Sequence, residues 1–300
     1  MAQRFTLAIA LVALVLPLTM SAAQTTNSPA QSQFWQGYER LNLHIAGRPA
    51  LLVKPKTPAP GNPWIWRTEF FGAFASADVA LLADGWHVAY IQVSNMYGSP
   101  SSVEIMQQFY RAMTQDYGLS KKPVLEGFSR GGLYAVNFAA TYPDQVAALY
   151  LDAPVLNIRS WPGGKGTGKG DPKCWEQAMH TYGLTEQTAS SFRGNPLDHL
   201  EPIARAGIPI IAVCGDADKT VPLDENTALL EPKYKGLGGT ITVILKSGCD
   251  HHPHSLTDPK PIVDFLIEHF KESNKISSPS PTPAATTSPA SPATTAVPTH

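Results

Sequence analysis

Apolar runs recur along the chain, each bounded by turn residues and each followed by a segment of different rhythm. "RPALLVKP", "WIWRTEF", "HVAYIQV", "PVLEGF", "AALYLDAPV", "IPIIAVCG" and "TITVILKSG" read as strands. Helical spacing appears over 75–84 and over 101–117, where Val103, Met106, Phe109, Tyr110 and Met113 fall on one face. It returns after residue 130 and in the closing "PIVDFLIEHFK". Unbroken apolar strands alternating with helices predict an α/β domain with a mostly parallel central sheet flanked by helices. In such a sheet ligands bind beyond the carboxyl ends of the strands.

The alternation breaks over 157–195. There "RSWPGGKGTGKGDPKCW" and a short amphipathic piece predict a small lid-like insertion between two strands. The glycines suggest a phosphate loop, but no G-x-x-x-x-G-K-[ST] follows a strand, which argues against a bound nucleotide.

Neither end reads as core. Arg4 precedes an apolar run over 5–18 and the small-residue site Ser21-Ala22-Ala23, the layout of a signal peptide over 1–23. The run is short for a membrane anchor, so a secreted or periplasmic chain without a membrane span is expected. Over 277–300 the chain is almost entirely Pro, Ser, Thr and Ala, without Lys, Arg, Asp or Glu, and is expected to be disordered. One domain of about 33–274 remains, long enough for a sizeable core. The net charge is -1 with no basic stripe, so nucleic acid is not an expected partner.

Candidate chemistry concentrates after three strands. "PVLEGF" runs into Gly127-Phe128-Ser129-Arg130-Gly131-Gly132 and then into a helical stretch. G-x-S-x-G between strand and helix is the requirement for a nucleophile elbow, where small neighbours permit a strained turn and expose the hydroxyl. The backbone N–H of Arg130 would then face a developing oxyanion.

A serine hydroxyl is inert near neutral pH without a base and an orienter for that base. "IPIIAVCG" leads to Asp216 and Asp218, of which Asp218 lies deeper in its loop. Asp216 suits a role in tying the loop down. "TITVILKSG" leads to "CDHHPHSL", where His251, His252 and His254 each qualify as base. Three histidines invite a metal reading, but they crowd on one loop with no partner cluster elsewhere. No catalytic metal and no cofactor is expected.

The combination of "GFSRGG", "CGDADKTVP" and "KSGCDHHPHSL" resembles the α/β-hydrolase superfamily over most of the domain. The resemblance implies Ser129 as nucleophile, Asp218 as acid and His251, the first histidine after the last strand, as base. His252 and His254 stay as alternatives. It places a second oxyanion donor near "WIWRTEFFG", at Trp66 or Arg67, where family members often carry a His-Gly or Gly-Gly pair. An ion pair between Arg67 and Glu69 is the competing expectation.

Trp64, Trp66, Trp161 and Trp175 also read as core residues, but with Arg67 and Arg130 they suggest a polar pocket with aromatic walls. That suits a small-molecule or glycan-linked ester, so a serine esterase is the expected activity. A peptidase or amidase with the same triad is the enzymatic alternative. A non-catalytic surface binding protein on this fold is the alternative of another class. Three cysteines, Cys174, Cys214 and Cys249, allow at most one internal disulfide; Cys214 and Cys249, which both end strand-like runs near these loops, are the pair to test first, and three free cysteines are the other reading.

Overall fold

The computed structural model describes residues 31–276. The expected signal peptide and the Pro/Ser/Thr/Ala tail lie outside them. The chain builds a nine-stranded sheet in the order β1-β2-β3-β5-β4-β6-β7-β8-β9. The strands are β1 (Gln31–Trp35), β2 (Tyr38–Ile45), β3 (Arg48–Lys54), β4 (Trp64–Arg67), β5 (His87–Ile91), β6 (Val124–Phe128), β7 (Ala148–Asp152), β8 (Ile210–Gly215) and β9 (Ile241–Lys246). From β5 onward the ladders β5-β4-β6-β7-β8-β9 are parallel.

β1 and β2 are an addition to the sequence reading. With β3 they form an antiparallel meander at one edge. Its two turns, Gln36-Gly37 and Ala46-Gly47, have positive φ at both central residues. That geometry matches the right-handed twist of a hairpin. Leu41, Leu43 and Ile45 alternate along β2, a period-two signal diluted by interleaved polar residues.

The helices are α1 (Ser76–Ala83), α2 (Pro100–Arg111), α3 (Gly131–Thr141), α4 (Pro172–Tyr182), α5 (Glu186–Ala189), α6 (Leu200–Arg205), α7 (Thr227–Gly236) and α8 (Lys260–Ile276). Strand alternation divides the core between the two faces of the sheet. Trp64, Trp66, Leu125, Leu149 and Leu151 pack with α2, α3 and α6 on one face. Ile65, Val124, Phe128 and Tyr150 pack with α1 and α8 on the other. The inner strands β4, β6, β7 and β8 are buried at every position, which explains their unbroken apolar runs. This is the mostly parallel, helix-flanked architecture expected of an α/β-hydrolase fold.

The segment between β7 and β8 holds α4, α5 and α6, and includes the irregular 157–195. It rests on the loop that follows β8. Asn226 accepts the N–H of Leu156 at 2.9 Å and donates to Ser160 Oγ at 3.1 Å. Thr167 Oγ1 donates to Glu225 at 2.8 Å.

Candidate active site

Ser129 stands at the junction of β6 and α3 with φ 48°, a left-handed conformation that costs a non-glycine residue roughly 1–3 kcal/mol. Backbone hydrogen bonds hold it there. Its N–H donates to Asp152 O at 2.9 Å, and its carbonyl accepts from Val155 at 2.8 Å and Gly132 at 3.0 Å. The neighbouring glycines are needed because backbone segments meet at this corner. A Cβ on Gly132 would lie 2.6 Å from Pro154 Cβ, and one on Gly127 would lie 3.0 Å from Gly131.

The loops after β8 and β9 bring the acid and one histidine to the serine. His251 Nε2 lies 3.0 Å from Ser129 Oγ, and His251 Nδ1 lies 2.7 Å from Asp218 Oδ2. A carboxylate only accepts, so Nδ1 carries the proton and Nε2 presents its lone pair to the hydroxyl. The second oxygen of Asp218 accepts the amides of Thr220 at 2.9 Å and Val221 at 2.8 Å, which fixes the carboxylate. Asp216 takes the amide of Gly248, joining the two loops away from the serine.

The other two histidines go elsewhere. His254 donates Nδ1–H to Asp152 at 2.7 Å and stacks on Phe128 at 5.2 Å. His252 is exposed and stacks on Phe74 at 5.7 Å. Asp152 also accepts the amide of Ser255 and the hydroxyl of Tyr150. A second His–Asp pair therefore sits beside the first. The lone acid ending the apolar "LYLD" was its only sequence signal.

Arg67 does not reach the site. It is paired in both ladders, to Tyr90 and Glu126, so its backbone amide belongs to the sheet. Its guanidinium is buried on the α1 side, 3.0 Å from Asp78 and 3.4 Å from Glu126, over the ring of Phe128. Burial pushes the Glu126 carboxyl well above its ordinary range, against the pull of Arg67. The expected Arg67–Glu69 pair does not form: Thr68 still bonds its N–H to Glu126 O beside β6, and the chain bends at Glu69. Glu69 instead pairs with Arg130 Nε at 2.9 Å. Burial raises the Glu69 carboxyl, and Arg130 opposes that rise.

Trp66 is likewise committed to the core, stacked on Trp64 at 5.5 Å with Phe109 and Phe138 close by. Trp175 is buried and donates to Glu186, and Trp161 packs near Tyr97. The expected tryptophan walls are therefore mostly interior. The loop after β4 does approach the elbow, since a Cβ on Gly131 would meet Thr68 and Glu69. Phe70, at φ 53°, lies beneath the Arg130 guanidinium. Among the described residues, the N–H groups of Arg130, Glu69 and Phe70 have no hydrogen-bond partner.

Of the two readings left open for the cysteines, the second holds: all three are free among the described residues. Cys214 faces α7 and donates its thiol to Thr227, whereas the Cys249 thiol points to His252 O. A cavity of about 420 Å³ lined by Val103, Asn137, Tyr182 and Phe192 does not border Ser129.

No protein-family model and no curated protein matches the chain in sequence. The fold does match solved structures. A puromycin-hydrolyzing peptidase of Mycobacterium tuberculosis aligns with TM-score 0.61 at 13% identity, over 79% of this chain and 39% of that one. Porphyromonas gingivalis dipeptidyl peptidase 4 gives 0.60 at 15%, over 80% and 35%. An S-formylglutathione hydrolase from Agrobacterium tumefaciens gives 0.51 at 16%, over 82% and 98%. The chain thus spans well under half of either peptidase and nearly all of the third structure.

Proposed function

We propose that the chain is a serine hydrolase acting by two-step acyl transfer, with Ser129 as nucleophile, His251 as base and Asp218 as orienting acid. One observation carries this reading: an unbroken line from Ser129 Oγ through His251 to Asp218, at 3.0 and 2.7 Å, starting from a strained elbow. His251 takes the hydroxyl proton as Ser129 attacks a carbonyl carbon. Negative charge forms on the carbonyl oxygen against the Arg130 N–H and an N–H from Glu69 or Phe70. The protonated His251 gives its proton to the leaving group, which departs. Water then attacks the acyl-enzyme with His251 again as base, and the acid and free serine are released. Asp218 stays ionised throughout and holds the imidazolium.

Peptide or amide bonds are the first substrate class. The two neighbours with TM-scores of 0.61 and 0.60 are named peptidases, and this supports that reading over an ester. A carboxylic ester or thioester is the second reading, favoured by a hydrolase whose length this chain nearly matches. The refinement to a sugar or aromatic ester loses its basis, because the tryptophans behind it lie largely in the core.

The test assays the wild-type chain and Ser129→Ala on aminoacyl p-nitroanilides and on p-nitrophenyl acetate and butyrate. A fluorophosphonate label is applied in parallel. Turnover of either class, with labelling at Ser129, is expected in the wild type and lost in the variant. No turnover and no labelling sinks the hydrolase reading in favour of a non-catalytic binding protein.

We further propose that the chain acts outside the cytoplasm, on the strength of the leader-like segment ending at Ala23. An exported chain starting at Gln24 supports this, and an intact Met1 on cytoplasmic chain refutes it. Among the described residues no helix is long and apolar enough to cross a membrane.

A further inference from the structure

Beside the serine, three imidazoles from one loop crowd together. The ring centroids of His251, His252 and His254 lie 4.9, 4.9 and 4.8 Å apart, with planes 67° to 89° from one another. One nitrogen of each ring lies within 4.8 Å of one from both others.

Two of the three are prepared as ligands. His251 and His254 are buried, and each donates Nδ1–H to a buried carboxylate at 2.7 Å, Asp218 and Asp152 respectively. In the neutral ring each then presents a lone pair at Nε2, held in place by its carboxylate. This carboxylate–histidine arrangement is the one that supports metal-bound imidazole. His252 completes the set from the solvent side. It is exposed, and no hydrogen bond to its ring occurs among the described residues.

We propose that His251, His252 and His254 bind a borderline divalent cation, zinc above all, which switches the serine off by occupying the nitrogen that accepts its proton. Imidazole suits zinc, copper and nickel, whereas calcium and magnesium require oxygen ligands. Zinc–nitrogen bonds of 2.0–2.1 Å place tetrahedral ligands about 3.4 Å apart. The 4.8 Å bound covers all three pairs, the buried His251–His254 pair included, so metal binding draws the whole cluster together by up to about 1.4 Å. Water or Ser129 Oγ takes the fourth position. While the metal is bound, His251 Nε2 cannot act as a base. The inhibition rests on the serine-hydrolase reading, but the binding of the metal does not.

The test uses the full chain stripped of metal with a chelator. Zinc chloride is titrated in against a chromogenic chelator, with hydrolysis followed in parallel, for the wild type and His252→Ala. The wild type is expected to bind one zinc and lose activity, with EDTA restoring it. His252→Ala is expected to bind zinc at least tenfold more weakly and to need correspondingly more for the same fractional inhibition. Asp152→Asn is expected to weaken zinc by about 10- to 100-fold. A wild type that fails to compete with the chelator overturns the site, as does a His252→Ala variant that binds and is inhibited like the wild type. Binding that His252→Ala weakens, in a chain that hydrolyses nothing, upholds the site and removes the hydrolase reading.

Discussion

Asp250 reaches from the loop after β9 to the backbone N–H of Lys219, 2.9 Å away, and so ties the loop carrying His251 to the loop carrying Asp218. The same oxygen accepts the amide of His251 at 2.8 Å. These two backbone hydrogen bonds hold the Asp250 carboxyl below its ordinary value of 3.8. A depressed carboxylate contributes its stabilisation above the unfolded value and loses it as pH falls through the folded one. The clamp is therefore intact at neutral pH. Asp250→Ala is expected to lower kcat about tenfold with the chain still folded, because misplacement near 1 Å is costly in catalysis. Circular dichroism and hydrolysis measured on one sample check this, and an unchanged kcat removes the clamp from the argument.

Asp218→Asn tests the orienter. The amide oxygen still accepts from Thr220 and Val221, but an NH2 group can face His251 Nδ1, favouring the wrong tautomer. A loss of about 10⁴-fold in kcat with little change in thermal midpoint is expected. A loss below tenfold shows that His251 is oriented by something else.

The buried charges under the elbow carry a pH signature. Burial raises the Glu126 carboxyl well above 4.5, so the folded chain retains a proton that the unfolded chain releases. Its stability is fullest below that value and declines as pH rises toward the folded one. Glu126→Gln cannot ionise. Its stability relative to wild type should improve as pH rises above the ordinary carboxyl value of 4.5 in urea unfolding, and a pH-independent difference contradicts the account. Removing the cation instead, by Arg67→Leu, is expected to cost about 3–5 kcal/mol.

Gly132→Ala tests the packing of the elbow. Its Cβ would meet Pro154 Cβ at 2.6 Å and Val155 O at 3.0 Å, both on the segment after β7. Destabilisation of about 1–3 kcal/mol is expected from overpacking, accompanied by loss of activity. Wild-type stability and turnover in this variant exclude a tight corner.

Thiol chemistry checks that the three cysteines are free. Burial pushes the Cys214 thiol up to about 12, so it should resist an alkylating reagent in the folded chain. Cys174 and Cys249, both half-buried, should react first. Peptide mapping after denaturation reads the difference, and a Cys214–Cys249 cross-link in the map overturns it.

The order of strands and helices and the strained serine turn were legible along the chain, because each rests on local pattern. Alternation and unbroken apolar runs report which strands are covered on one or both faces. A glycine-flanked serine between strand and helix reports its own backbone geometry. Strand β2, second from the edge, was harder to read because only Leu41, Leu43 and Ile45 carry its alternation and Glu39 and Arg40 precede them. Tertiary structure decided the rest. Choosing among three neighbouring histidines depends on Ser129, 122 residues from His251, and on Asp218, 33 residues away. Arg67 found Asp78 and Glu126 rather than Glu69, because the chain bends at Glu69, whose carboxylate pairs with Arg130 instead. The aromatic wall became core because Trp64 and Trp66, two residues apart on a strand, both face α2 and α3. Local pattern determines which backbone forms, while partners distant in sequence are set by how the loops fold over the sheet's carboxyl edge.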